Sequence, residues 1–235
     1  MSAGRMHDGT FGYVIIRLLC HVLLGVERMD AIELTDISID YGARRVLSQL
    51  TLRLERGMVM VITGQNGSGK SSLLRVLAGL QRPSTGHVGC VTGSQAVHPA
   101  DARQDIGWMA PDLMLYRELT GRENLRFFAD VRGVNIPDEM LLALLDRVGL
   151  RGRADDLLAT YSSGMTHRLR YAYALLHRPT LLLLDEPSVM LDERGHALLE
   201  EVVAAQRLVG MTVIATNDPR EQRFADTLVR LEGVA

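Results

Sequence analysis

The sequence predicts an α/β fold: a parallel sheet flanked by helices, with an N-terminal antiparallel β-subdomain and an inserted helical subdomain. Three observations predict it. Apolar runs of buried-strand length recur at residues 58–63 (MVMVIT), 181–184 (LLLL) and 211–216 (MTVIAT), with helical patterns between them. That is how a parallel sheet covered on both faces reads. Earlier segments, IELTDISIDY from Ile32 and VLSQLTLRL over 46–54, instead alternate apolar and polar residues as half-buried strands do. Within residues 111–176 the segments RENLRFFADVRG and DEMLLALLDRVGL are helical in pattern and interrupt the strands. The composition agrees, since 47% of residues are hydrophobic and only 5% aromatic, an aliphatic mix suited to buried parallel strands.

Taken in order, residues 1–28 read as an extension ahead of a second candidate start at Met29. Within it, 13–26 (YVIIRLLCHVLLGV) is apolar but short for a bilayer span and is interrupted by Arg17 and His21. Those two stand four apart, on one face of a helix, so a membrane-surface helix is the alternative. No small-residue cleavage site follows, which argues against a secretory signal. Residues 29–235 form the main domain. Arg56-Gly57 turns the chain into the first apolar run, and the other two runs follow the helical stretch.

With 235 residues the chain can bury a real core. A net charge of −2 argues against gripping nucleic acid by charge, and no nucleic-acid partner is expected. Cys20 and Cys90 show no CxxC spacing, so the sequence offers neither a disulfide framework nor a cysteine metal site, as in a reducing compartment. The cations are uneven: of 26 Lys+Arg, Lys70 is the only lysine. Lysine presents a compact point charge where arginine presents a planar fork. A position that keeps lysine against this background needs the small charge.

Lys70 lies in Gly64-Gln65-Asn66-Gly67-Ser68-Gly69-Lys70-Ser71, a full match to G-x-x-x-x-G-K-[ST]. An apolar strand precedes it, and SSLLRVLAGL, beginning at Ser71-Ser72, continues it as a helix. Glycines let backbone N–H groups converge on phosphate oxygens, and the helix N-terminus adds partial positive charge. Lys70 then neutralises the β- and γ-phosphates and the Ser71 hydroxyl binds Mg²⁺. The fold expected is therefore a P-loop NTPase core. Asp185-Glu186, directly after the four leucines, emerge at the carboxyl end of a buried strand, where open α/β sheets bind ligands. Asp185 is expected to hold the Mg²⁺ shell and Glu186 to orient or deprotonate the attacking water.

Many nucleotide hydrolases share those two elements. Selecting among them is Tyr161-Ser162-Ser163-Gly164-Met165, followed by THRLRYAYALLHRPTLLLLDEP. It resembles the signature of the ATP-binding-cassette (ABC) family, usually written LSGGQ, at its usual place before the acidic strand. Ser162, Ser163 and Gly164 open a helix that offers hydroxyls and N–H groups to an anion. The resemblance, running from about Met29 to the C-terminus, implies an ATP-hydrolysing subunit of an ABC transporter. It implies that Tyr41 stacks on adenine and that Asp192, in PSVMLD, is the D-loop aspartate at a dimer interface. It further implies a second ATP-binding subunit, each ATP lying between the phosphate loop of one cassette and the signature of the other. A separate transmembrane permease is implied too, docked over residues 111–135, which places the chain in the cytoplasm on the inner face of the cell membrane. The short chain resembles the ATPases of exporters, including those of cytochrome c maturation systems.

Two positions depart from the family pattern. Where the Q-loop glutamine is expected, the sequence has Pro111 and Asp112, and Asp112 is the one able to face a metal. The switch histidine is replaced by Asn217, which can donate a hydrogen bond to a γ-phosphate but cannot carry a proton at neutral pH. With Glu186 intact, slowed rather than abolished ATPase activity is expected. A degenerate ATP-dependent dimerisation switch and a soluble, non-transport ABC ATPase stand as alternatives.

Overall fold

The alternating segments after Met29 form β1 (Ala31–Tyr41) and β2 (Arg44–Glu55), which pair antiparallel. The computed structural model describes residues 28–42, 44–189 and 193–231. Nearly all of the N-terminal extension, including the apolar stretch 13–26, lies outside the described residues, as does Asp192. In β1 the strict alternation breaks. The register shifts between Leu34 and Ile37, around an Asp36 with φ of 50°. Beyond the bulge Ile37, Ser38 and Ile39 are all buried in succession. Two strands not predicted from the sequence, β4 (Thr85–Thr92) and β5 (Gln95–Val97), complete an antiparallel sheet ordered β2-β1-β4-β5.

The three apolar runs become β3 (Val59–Gly64), β7 (Leu181–Asp185) and β8 (Met211–Ala215), each within a residue or so of its expected bounds. They are the central strands of a parallel sheet ordered β6-β7-β8-β3-β9. Its edges, β6 (Ile106–Met109) and β9 (Thr227–Leu231), were not predicted.

Successive side chains of these strands enter two different cores. Met60, Ile62, Leu181, Leu183 and Val213 pack with α1 (Lys70–Leu77) and the antiparallel sheet. Val59, Val61, Leu182, Leu184 and Ile214 pack on the other face. There they meet α2 (Gly121–Val131), α3 (Asp138–Arg147) and α4 (Ser163–Leu175), which lie between β6 and β7, and α5 (Glu193–Arg207), which follows β7. Period-two geometry thus makes continuous apolar runs useful on both faces, each buried leucine contributing about 2 kcal/mol. α1 stops earlier than its apolar pattern suggests. Gly79 takes φ of 68°, and a Cβ there would sit 2.3 Å from the Ala100 backbone nitrogen, so the chain turns away where only glycine fits. Among the described residues no helix is long and apolar enough to cross a membrane.

Candidate functional site

The loop from β3 into α1 is built around glycine. Gly64 has φ of 151°, and a Cβ on it would lie 2.4 Å from the Leu231 carbonyl oxygen and 2.6 Å from Ser68 Oγ. Gly69 (φ 102°) caps α1 with no side-chain acceptor, so the first N–H groups of the helix stay free to face the loop. Ser68 is buried and its Oγ has no hydrogen-bond partner, an orphaned polar group at the floor of the cradle.

Lys70 is 6% exposed. Its Nζ donates to the Gly64 carbonyl at 2.7 Å, the Gln65 carbonyl at 3.3 Å and Asn217 Oδ1 at 2.9 Å. An ammonium has three donors, and all three are met by neutral oxygens. Glu186 Oε1 stands 3.7 Å from the same nitrogen.

Asp185 and Glu186, adjacent in sequence, sit differently. Asp185 is buried at the end of β7; burial raises its carboxyl above the usual range, and the nearby Ser71 hydroxyl partly offsets that rise. Glu186 is partly open to solvent and takes φ of 48°, with its N–H bonded to the Ala215 carbonyl at 2.8 Å. Asn217, just past β8, joins the group: its Nδ2 donates to Asn66 Oδ1 at 2.6 Å and its backbone N–H to Glu186 Oε2 at 3.3 Å.

Around this centre the remaining predicted residues fall into near and far sets. Tyr41 is half exposed at the end of β1; its hydroxyl lies 2.8 Å from Ser72 Oγ and donates to Gln81 Oε1 at 3.1 Å. Asp112 is exposed, 3.9 Å from Arg75 of α1, whose charge also acts on Asp185. Pro111 is exposed beside it. Ser162 caps α4, its Oγ accepting from the Met165 N–H at 3.2 Å, and it is exposed together with Ser163 while Gly164 is half-buried. No hydrogen bond or ion pair among the described residues joins 162–164 to the phosphate loop. Arg44 was not singled out from sequence, yet its Nη2 donates to the Gly67 carbonyl at 3.2 Å. Its neighbour Arg45 is paired with Asp40 instead. A cation two residues beyond the Tyr41-Gly42 turn is the one signal that pointed to it.

Residues 47–189 match the family model described as ABC transporter. The chain belongs to this family. Among its relatives, this cassette is 34% identical to a linearmycin resistance ATP-binding protein of Bacillus subtilis, over 77% of the chain and 59% of that protein. It is 35% identical to Nod factor export ATP-binding protein I of Sinorhizobium fredii, over 86% of the chain and 60% of that protein. It is 36% identical to an aliphatic sulfonates import ATP-binding protein of Burkholderia cenocepacia, over 92% of the chain and 64% of that protein. The chain thus spans about three fifths of the length of the curated relatives it matches. The ATP-binding subunit of an ABC transporter shares its fold with a TM-score of 0.74 at 29% identity, over 87% of this chain and 88% of that one. A dimeric post-hydrolysis cassette bound to ADP and Pi superposes with a TM-score of 0.75 at 22% identity, over 87% and 97%, a likeness of fold alone.

Proposed function

We propose that the chain is the ATP-binding and ATP-hydrolysing subunit of an ABC transporter, paired with a second cassette and powering transport through a separate transmembrane permease. The observation that carries this reading is the convergence on one point of Lys70 and Ser71, Asp185 and Glu186, and Asn217, from three elements far apart in sequence.

The residues fit a nucleotide and its metal. Gly64 and Gly69 take positive φ values that give the loop a shape side-chain-bearing residues rarely adopt, the buried Ser68 Oγ lacks a partner, and Ser71 and Asp185 supply hard oxygen donors. Mg²⁺ held by Ser71 and Asp185 would offset the charge of the β- and γ-phosphates, with Asp112 on the rim as a further candidate ligand. Lys70, Asn66–Ser72 and the α1 N-terminus bind the phosphates, and Tyr41 stacks on the base. As water attacks the γ-phosphorus and the bond to ADP breaks, Glu186 accepts the water's proton. Asn217 donates its amide to the γ-phosphate. Ser162, Ser163 and Gly164, at the head of α4, serve the ATP of the second cassette, with Asp192 at the interface between the two. Residues 111–135 meet the permease, which holds the cassette at the inner face of the membrane, and residues 111–176 act as the helical subdomain.

The relatives' names include both export and import, so the reading is of the motor common to both; the cytochrome c expectation gains no support from them. Asn217 in the switch position favours one second reading, a cassette that binds ATP to dimerise and turns over little. ATP hydrolysis by the purified chain and by Glu186→Gln, with sizing of both in ATP and Mg²⁺, separates them. Turnover by the wild type and an inactive, dimer-trapped variant support the motor. A wild type that binds ATP and dimerises without turnover, even with its membrane partner, supports the switch.

A further inference from the structure

Glu186 is held in a backbone conformation that non-glycine residues rarely adopt, and such conformations persist only where the surroundings over-determine them. On one side the restraint is visible: the Glu186 N–H is tied to Ala215 at the end of β8. On the other side lies Pro187, whose carbonyl accepts two hydrogen bonds from α4. His167 Nε2 reaches it at 2.7 Å and the Tyr171 hydroxyl at 2.9 Å. The two donors are one helical turn apart, their rings in edge contact at 5.8 Å, and 4% and 0% exposed. A carbonyl only accepts, so His167 carries its proton on Nε2 and both lone pairs of the oxygen are filled. A single bond would satisfy this carbonyl. Two rigid buried donors from one helix instead fix its position, one peptide beyond the carboxylate.

We propose that His167 and Tyr171 are positioning residues for Glu186, clamping the peptide after it so that its carboxylate faces Lys70. Ser162 caps the N-terminus of α4, so the clamp also joins the signature end of that helix to the carboxylate of the same chain. The proposal rests on the hydrolytic role proposed for Glu186. Neither residue touches the phosphate loop in any hydrogen bond among the described residues, which is why the role is positioning.

The test compares wild type, Tyr171→Phe, His167→Ala and His167→Gln, the last keeping a side-chain N–H of similar reach. Steady-state ATPase assays should show kcat lowered about threefold or more in Tyr171→Phe and about tenfold or more in His167→Ala, with KM for ATP moving less than about twofold. His167→Gln should recover most of the loss. Hydrogen exchange over 185–189 should quicken in Tyr171→Phe and His167→Ala, a readout that needs no turnover. Unchanged kcat in folded Tyr171→Phe and His167→Ala, or unchanged exchange over 185–189, overturns the clamp. A wild type without ATPase activity overturns the hydrolytic reading instead, and the exchange data then decide the clamp by themselves.

Discussion

Lys70 and Asn217, 147 residues apart, are joined by a 2.9 Å hydrogen bond from the ammonium to the amide oxygen. Because lysine only donates, the bond fixes the amide's orientation, and the Nδ2 that results is the donor to Asn66. One uncharged side chain therefore touches the loop's cation and its asparagine, while its backbone N–H reaches Glu186. A histidine there would do part of this and would also titrate.

Replacing Asn217 with alanine removes both amide bonds and should lower kcat about tenfold, the order expected for deleting one preorganised donor to a developing oxyanion or somewhat less. Turnover equal to wild type would remove Asn217 from the switch role. Asn217→His should add to the kcat profile a limb near the ordinary histidine pKa of about 6.5, absent from the wild type at that position.

The lone lysine makes a sharper demand. Its three donors meet three oxygens at 2.7–3.3 Å in a nearly closed space. A planar guanidinium is larger and cannot present three donors from one nitrogen to that cage. Lys70→Arg, otherwise a minor change in so arginine-rich a chain, should weaken ATP binding at least about tenfold, or about 1.4 kcal/mol, by titration calorimetry. Equal affinity would show that charge alone suffices.

Gly64→Ala tests the cradle itself. Its Cβ would meet the Leu231 carbonyl at 2.4 Å at a φ that already favours glycine, so β3 and β9 must part or the loop must move. A cost of about 2 kcal/mol or more is expected, which for a domain of this size lowers Tm by about 4 °C or more. An unchanged Tm would mean the loop relaxes freely.

Which parts were legible follows from what each depends on. The loop 64–71 is written in residue types because backbone approach to phosphate excludes side chains, and β3, β7 and β8 are written as apolar runs because both faces are buried. Edge strands are not: β9 alternates in exposure and β6 is four residues long, so neither makes such a run. The bulge at Asp36 broke the expected period, since one inserted residue sends later side chains to the other face. His167 and Tyr171 read as ordinary helix residues because their partner, a backbone carbonyl, has no sequence signature. Asn217 was visible as a departure from the family, but its three partners depend on how β3, β7 and β8 end together.

The last prediction concerns acid stability. His177 is part-buried, its Nε2 donating to the Ile106 carbonyl at 2.9 Å and its Nδ1 buried with no partner. Burial first, then the nearby Arg132 and Arg28, push its pKa down from 6.5 to about 4. The fold thus prefers the neutral ring. Its contribution is fully present above the unfolded value of 6.5 and is lost as pH falls from there to about 4, a difference worth at most about 3 kcal/mol. His177→Gln keeps a side-chain N–H for the Ile106 carbonyl and removes the titration. Urea midpoints at pH 7.5 should favour the wild type. By pH 4.5 the gap should close or reverse, because only the wild type must then hold a ring that prefers to be charged when unfolded. Parallel wild-type and variant curves across that interval would show that His177 is protonated in the fold as readily as in the unfolded chain.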